Sequence, residues 1–491
     1  MEIKETYRQK KYQIYLFLGA VFILLLYFDQ IASCPVLSTG LDRFILFNID
    51  ESLHYCYIKA ANFYPVAYLN PFAKIGFTAA HGLISLVSSQ SMTALRALNS
   101  IYAVGVLVLV IKLSSFLRMP VKAALLSAFL TISFPVFFLG SISILVELMF
   151  SFLLVLALYL FYKKRFFSSS LAISLLPLVH QYGFFYIFLW VYFLGREKQA
   201  KLIFPLFIPF LLWSFANTAF LGHPLIYTLC YRPFICPSPP LDCLVSPRDF
   251  LNFYILLISP LVILFTAALM RSSSFGIIKG KLKPIIGVIV LQAFILLADI
   301  IVIPFFSLGS FVYKLRIIIP FIPLASVVSV FLLEHIMAKA RKLLACAYVL
   351  LVVAALFYCP YSVGKLQRFP LIKNEILSPR QEADLLAAGK WLGAYMEEKG
   401  VSVIVCQGDD LPSSVTRRIW MFLPGKVRFL TLNDFSLADK GVFDVLTYKK
   451  TSVKDLTRCL FITRYPEYSL TEKGLRLIKD FPLLSLYVYG Y

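Results

Sequence analysis

The chain has 491 residues, of which 60% are hydrophobic and 15% charged, with a formal net charge of +21 and a mean hydropathy of +0.81. Soluble domains carry about 25% charged and about 45–50% apolar residues, so the surplus excludes a purely water-soluble fold and requires lipid as solvent for much of the surface. The positive charge does not point to nucleic acid: the basic residues sit mainly in short loops between apolar stretches, where they set orientation, and no basic platform interleaved with aromatic residues is present.

The opening MEIKETYRQKK precedes an apolar run from Tyr12 to about Ile31. That run is longer than a signal peptide's apolar core and no small-residue cleavage site follows it, so it reads as a retained first span over 12–31. At roughly 20 apolar residues per span, the next are expected at 95–117, 121–140, 142–162, 166–182, 183–195, 201–221, 250–270, 284–306, 311–336 and 342–361. The expected fold is thus a polytopic α-helical membrane protein of about eleven transmembrane helices. HQYG interrupts the short segments between 166 and 195, which form either a broken pair or one long span. With the N-terminus inside, the loops IKLSSFLRMPVK, YKKRF, REKQAK, RSSSFGIIKGKLK and AKARK all fall inside and all are basic, whereas GSIS and FSLGS on the other side are nearly uncharged. This alternation follows the positive-inside rule.

Two longer loops then lie outside. In the first, from about Ala32 to Ser91, LHYCYIKAANF and FAKIGFTAAHGLISLVSS mix apolar residues with His and Lys at helical spacing, which predicts amphipathic helices in the membrane interface. The second, from about Gly222 to Asp249, contains HPLIYTLCYRPFICPSPPLDC. After residue 361 a polar linker (362–379) leads to an external soluble α/β domain (380–491). There EADLLAAGKWLGAYMEEKG reads as a helix stopped by Gly400, VSVIVC, VRFLTL, CLFITR and LSLYVYGY as strands, and SSVTRRIWMFL as a second helix, giving a partly parallel sheet. Its first loop, QGDDLPSS, is not a Gly-rich phosphate loop. Cys34, Cys56, Cys230, Cys236 and Cys243 are expected outside, with Cys236 and Cys243 the most plausible disulfide pair, and Cys406 and Cys459 are expected as buried strand thiols.

The acidic pair Asp50 and Glu51 opens the first loop in FNIDESLHYCYIKAANFY. Capping of a helix accounts for such a pair equally well; if the segment is helical, the two side chains project about 100° apart and cannot act as an equivalent dyad. Further along, Glu147 falls about a turn inside the fourth span, where a structural ion pair is the plainer reading. His180 ends the fifth. Lys314 and Arg316 enter a late span from an uncharged loop. An arginine there costs several kcal/mol, roughly, unless it faces a partner or a cavity; snorkelling to the interface accounts for Lys314 as well.

These motifs together resemble the GT-C superfamily of glycosyltransferases, membrane enzymes that use polyprenyl-phosphate sugar donors and include the protein O-mannosyltransferases and aminoarabinose transferases. The DE pair resembles the family's acidic pair in the first external loop. LRALNSIYAVGVLVLVIKLSSFL resembles its second span, with Arg96 at the opening, and ELMFSFLLVLALYLFYKKR its fourth. NTAFLGHPLIYT resembles its F-G-x-P-x-Y segment, and YKLRIIIPFIPLASV its R-y-l-l-P-x-x-P span, at Arg316, Pro320 and Pro323. Two departures stand out: His180-Gln181-Tyr182-Gly183 replaces the Arg followed by E-G that many members carry, and N-I-D-E replaces H-P-D-E.

The resemblance implies sugar transfer from a polyprenyl-phosphate donor to an acceptor lipid, protein or glycan on the external side, in a prokaryotic plasma (inner) membrane or, for a eukaryotic chain, the endoplasmic reticulum. It implies Asp50 as general base, with Glu51 orienting it or helping to bind a divalent cation, which some members use. Arg316, Lys314 and His180 would bind the donor phosphate, and His54, His223, Tyr227 and Glu147 would line the site. Contact with lipid head groups explains His54, Lys59 and Arg232 well. A transporter or flippase for lipid-linked saccharides, and a scaffold or polysaccharide polymerase, are the competing readings, though no internal repeat of the transporter kind is visible.

Overall fold

The computed structural model describes residues 48–69, 74–88, 91–180, 182–222, 282–305, 318–336, 342–343, 346–353, 379–407, 423, 426–432, 442–444, 450–451, 459–463, 476–481 and 484–489. They divide into two compact units: residues 96–180, 182–210, 282–305, 318–336, 342–343 and 346–353 belong to the first, and 48–69, 74–88, 91–95, 211–222 and the described residues from 379 onward to the second. The spans expected at 12–31 and 250–270 lie outside the described residues.

The first unit is a helix bundle. Among the described residues its helices include α3 (Met92–Phe116), α4 (Val121–Ile132), α5 (Pro135–Ser141), α6 (Val146–Tyr162), α7 (Phe166–Ser174), α8 (Leu176–Val179), α9 (Gly183–Arg196), α10 (Ile203–Leu221), α11 (Lys283–Phe305) and α12 (Phe321–Ile336). Both α3 and α10 run past the unit's boundaries. Among the described residues, the stretches Met92–Phe116 and Ala200–Leu221 are each long and apolar enough to cross a membrane.

Several expected spans are broken, for identifiable reasons. The segment 121–140 is not continuous, because Pro135 has no N–H to extend the ladder and Ser133 turns its hydroxyl onto the Phe129 carbonyl at 2.8 Å; α4 therefore stops at Ile132 and α5 starts afresh. The fourth span begins at Val146 rather than 142. The segments between 166 and 195 are a broken set, α7, α8 and α9. Their interruption depends on Gly183, where an added Cβ would fall 2.3 Å from the Leu176 carbonyl carbon.

The bundle has two chemically distinct ends. At one, the C-termini of α3, α6 and α9 meet. Lys163 Nζ lies 5.9 Å from the ring centroids of both Phe116 and Tyr159, and Lys164 pairs with Glu197 at 2.7 Å. Arg118, Lys164 and Lys198 close helices here in the left-handed region, with φ of 62°, 58° and 57°. The other end holds the breaks. Asn99 Nδ2 donates to the carbonyls of Ser143 and Leu145 at 2.5 and 2.9 Å, and Ser100 Oγ donates to Ser141 O at 2.8 Å. Helix α3 thereby holds the non-helical stretch that leads into α6.

In the second unit, α1 (Asn48–Ala61) and α2 (Ile75–Val87) pack together with a 3-10 turn, Pro65–Leu69, between them. The tail begins with α13 (Pro379–Lys399), closed by Gly400 at φ 63°. Strands β1 (Val403–Gln407), β2 (Arg428–Leu432), β3 (Val442–Asp444), β4 (Lys450–Thr451), β5 (Cys459–Thr463), β6 (Arg476–Phe481) and β7 (Leu484–Tyr489) form a seven-stranded sheet in the order β4-β3-β2-β1-β5-β7-β6. β1 runs parallel to β2 and β5, and the remaining pairs are antiparallel. The four expected strands are β1, β2, β5 and β7; the helix expected at SSVTRRIWMFL lies outside the described residues. Cys459 is buried as expected, and burial pushes its thiol up to about 11. Cys236 and Cys243 lie outside the described residues. Tyr64 OH donates to Lys426 O at 2.5 Å, tying the α1–α2 segment to the sheet.

Candidate functional site

Asp50 and Glu51 stand in the first turn of α1, where backbone N–H groups lack helical partners and carboxylates are favoured. Glu51 is 1% exposed and His54, one turn after both acidic positions, is also buried. From Cys56 to Ala61 every side chain of α1 is buried. This helix is therefore not the interfacial element that its composition predicts: Glu51, His54 and Lys59 face protein rather than water. The ring of His54 meets Phe77 of α2 edge-on, with centroids 5.3 Å apart, and Phe77 in turn lies 3.9 Å from the ring of His81. His81 Nδ1 donates to the Phe77 carbonyl at 3.0 Å. Asn62 Nδ2 donates to Ser85 Oγ at 3.2 Å, and Tyr68 crosses α2 at Gly82, where a Cβ would come within 2.6 Å of its hydroxyl.

Two ammonium groups are buried in the same unit. Lys59 is 6% exposed, and burial pushes its ammonium below the usual lysine range, with the Cys56 thiol partly opposing that shift. Its Nζ lies 5.6 Å from the Tyr55 ring centroid; burial and the same thiol push the Tyr55 phenol up to about 12. Lys74 is 8% exposed and leads into α2 with φ 56° and ψ 85°. A helix-entry residue is normally extended, and a non-glycine residue in the left-handed region stores strain. The other three described non-glycine residues with positive φ, Arg118, Lys164 and Lys198, are exposed at helix ends. The sequence marks Lys74 and His81 only as a lone cation and a lone imidazole within the otherwise uncharged FAKIGFTAAHGLISLV.

The first unit holds a separate polar group. Glu147 is buried in the first turn of α6, not a turn inside the span as expected, because the helix begins only at Val146. One turn on, Phe150 meets the rings of His180 and Tyr186, with centroids 5.9 and 5.5 Å away. The Tyr182 N–H donates to His180 Nδ1 at 3.3 Å, which leaves the proton of the neutral imidazole on Nε2. Tyr186 OH donates to Gln292 Oε1, joining α9 to α11. His180 thus contacts Phe150, one turn along α6 from Glu147, whereas Glu51 and His54 belong to the other unit. Arg316, Lys314, His223, Tyr227 and Arg232 lie outside the described residues. The residues just after Arg316 are described: a Cβ on Gly140 would sit 2.9 Å from Ile319 and 3.0 Å from Leu148, so this stretch packs beside the start of α6. Among the described residues no group of three or more His, Cys, Asp or Glu side chains gathers as a metal site.

No protein-family model matches the sequence, and no curated protein does. Among solved structures, the chain is similar to ArnT from Cupriavidus metallidurans in the apo state, at 10% identity and a TM-score of 0.57 over 98% of each chain. It is similar also to the same protein bound to undecaprenyl phosphate, at 11% identity and a TM-score of 0.56 over 97% of this chain and 98% of that one. A likeness that runs the length of both chains at this identity concerns architecture: the chain shares the overall fold of these ArnT structures.

Proposed function

We propose that the chain transfers a sugar from a polyprenyl-phosphate donor to an acceptor, on the external side of the membrane it spans about eleven times, with the tail domain on that same side. The observation that carries this reading is the full-length likeness to ArnT, including the form bound to undecaprenyl phosphate. The positive-inside pattern supports the orientation, and the cationic and broken ends of the bundle agree with it. A prokaryotic inner membrane is the expected location.

In the proposed reaction an acceptor hydroxyl or amine attacks the anomeric carbon, Asp50 takes its proton, and the bond from carbon to the phosphate oxygen breaks to release polyprenyl phosphate. Glu51, buried in the first turn of α1, is the proposed residue that orients Asp50 or helps to bind a divalent cation. The leaving phosphate needs positive charge. Lys59 and Lys74 supply it from this unit, and an arriving anion would offset the cost of keeping their ammonium groups out of water. Arg316, Lys314 and His180 remain proposed phosphate contacts, and His54, His223, Tyr227 and Glu147 proposed lining residues. Nothing in this scheme requires a divalent cation.

The test is sugar transfer by the purified chain in lipid nanodiscs. Asp50→Asn is expected to lower the rate by about 10²–10⁴-fold, the usual contribution of a general base, with folding unchanged. Wild-type rates in Asp50→Asn would remove the base assignment. Translocation of the lipid-linked sugar without transfer would favour a flippase.

A further inference from the structure

Helix α2 is built inside out. Its buried stripe consists of Phe77, Thr78, His81, Gly82 and Ser85, so three of its five residues carry polar side-chain atoms. The opposite stripe, at positions 79, 83, 86 and 87, is apolar, with Leu83 68%, Leu86 61% and Val87 82% exposed. No charged residue occurs anywhere between Ile75 and Val87. In water the hydrophobic effect would select the reverse arrangement, with leucines inward and hydroxyls outward. The observed polarity is favourable only where the outer phase is itself apolar. Thirteen residues rise about 20 Å, too short for a hydrocarbon core of about 30 Å, so α2 does not span.

A second observation says what that phase is. Asn217 of α10 donates its Nδ2 to the carbonyl of Leu69, at the end of the 3-10 turn before α2. In the part of α10 that belongs to this unit, Leu211, Leu212, Phe215 and Phe220 are exposed, and α10 lies in a stretch apolar enough to cross a membrane. The outward face of α2 is thus linked through Leu69 to a helix whose own outward side chains are suited to lipid.

We infer that the outer face of α2 is inserted among the phospholipid acyl chains, so that α2 shields the buried Glu51 and Lys59 of α1 from the bilayer. This differs from an ordinary interfacial helix, whose polar face is wet: here the polar face is taken by α1, and the bilayer holds α2 against it. The inference stands apart from sugar transfer and is read without an activity assay.

The test places p-benzoylphenylalanine at Leu83, Leu86 or Val87 of the full chain, in nanodiscs whose phospholipids carry alkyne-tagged acyl chains. Glu397, exposed on α13, is the control. Illumination should give a phospholipid adduct at all three α2 positions, severalfold above the control. An adduct no stronger than at Glu397, a crosslink to another segment of the same chain, or a crosslinked dimer would each overturn the inference. Because all three positions are exposed, the bulky residue need not disturb packing, and a monodisperse elution profile checks this.

Discussion

Lys59 concentrates the energetics of the candidate site in one side chain. Burial holds its ammonium below the ordinary range, so between the depressed native value and the unfolded value of about 10.4 the unfolded chain binds more protons than the native one. Unfolding free energy therefore rises with pH through that window, and the stability gained is lost as pH falls through the native value. Tyr55, with its pKa near 12, stays neutral throughout. Lys59→Met keeps the stem and removes the charge. It should raise the thermal midpoint at pH 7 and flatten its dependence between pH 7 and 10; an unchanged slope would show that Lys59 is not the group responsible. At Gly183 the argument is steric. Gly183→Ala drives a methyl into the Leu176 backbone, and the break that presents His180 must open. Overpacking of this kind costs about 1–3 kcal/mol, read as a lower denaturation midpoint, whereas a neutral substitution would mean the turn is looser than its geometry implies.

At the scale of elements, the ends of helices carry more information than their middles. Asn99 satisfies two carbonyls in the stretch before α6. Asn99→Leu leaves both without that donor inside the bundle, at a cost of about 1–3 kcal/mol each. The variant should unfold at lower temperature and should misplace Glu147, two residues beyond Leu145; a wild-type midpoint would remove the strut from the account. Hydropathy finds apolar stretches but averages over their interruptions. It therefore merges 121–140 into one span although Pro135 is visible in the sequence, and it starts the fourth span four residues early because Ile142, Ile144 and Leu145 are apolar without being helical. HQYG, with its glycine, is legible as an interruption. In the tail, the parallel core strands have strong apolar runs and are found, whereas β3 and β4, of three and two residues, are too short to leave a period. What no pattern could show is the environment of a side chain. Composition places α1 and α2 in the interface, but only packing reveals that α1 is buried and that α2 turns its polar stripe inward. Nor could composition show that Lys74 is held in a left-handed backbone.

For the whole molecule, two independent lines agree. The ordered motifs and the alternation of basic loops lead from sequence to a resemblance to the GT-C glycosyltransferases, and the backbone follows ArnT over nearly its entire length at 10% identity. At that identity few side chains are held in common, so the chemistry must be argued from this chain's own residues: the acidic pair at the start of α1, the buried ammonium groups of the same unit and the polar end of the bundle. The measurement that tests this most directly uses wild-type protein in nanodiscs, supplied with polyprenyl-phosphate sugars radiolabelled in the sugar and with lipid, protein and glycan acceptors. The account predicts that label moves to one acceptor class, that free polyprenyl phosphate appears in equal amount, and that both products disappear in Asp50→Asn. Label that stays on the lipid with every acceptor, or is merely carried across a vesicle membrane, would contradict it.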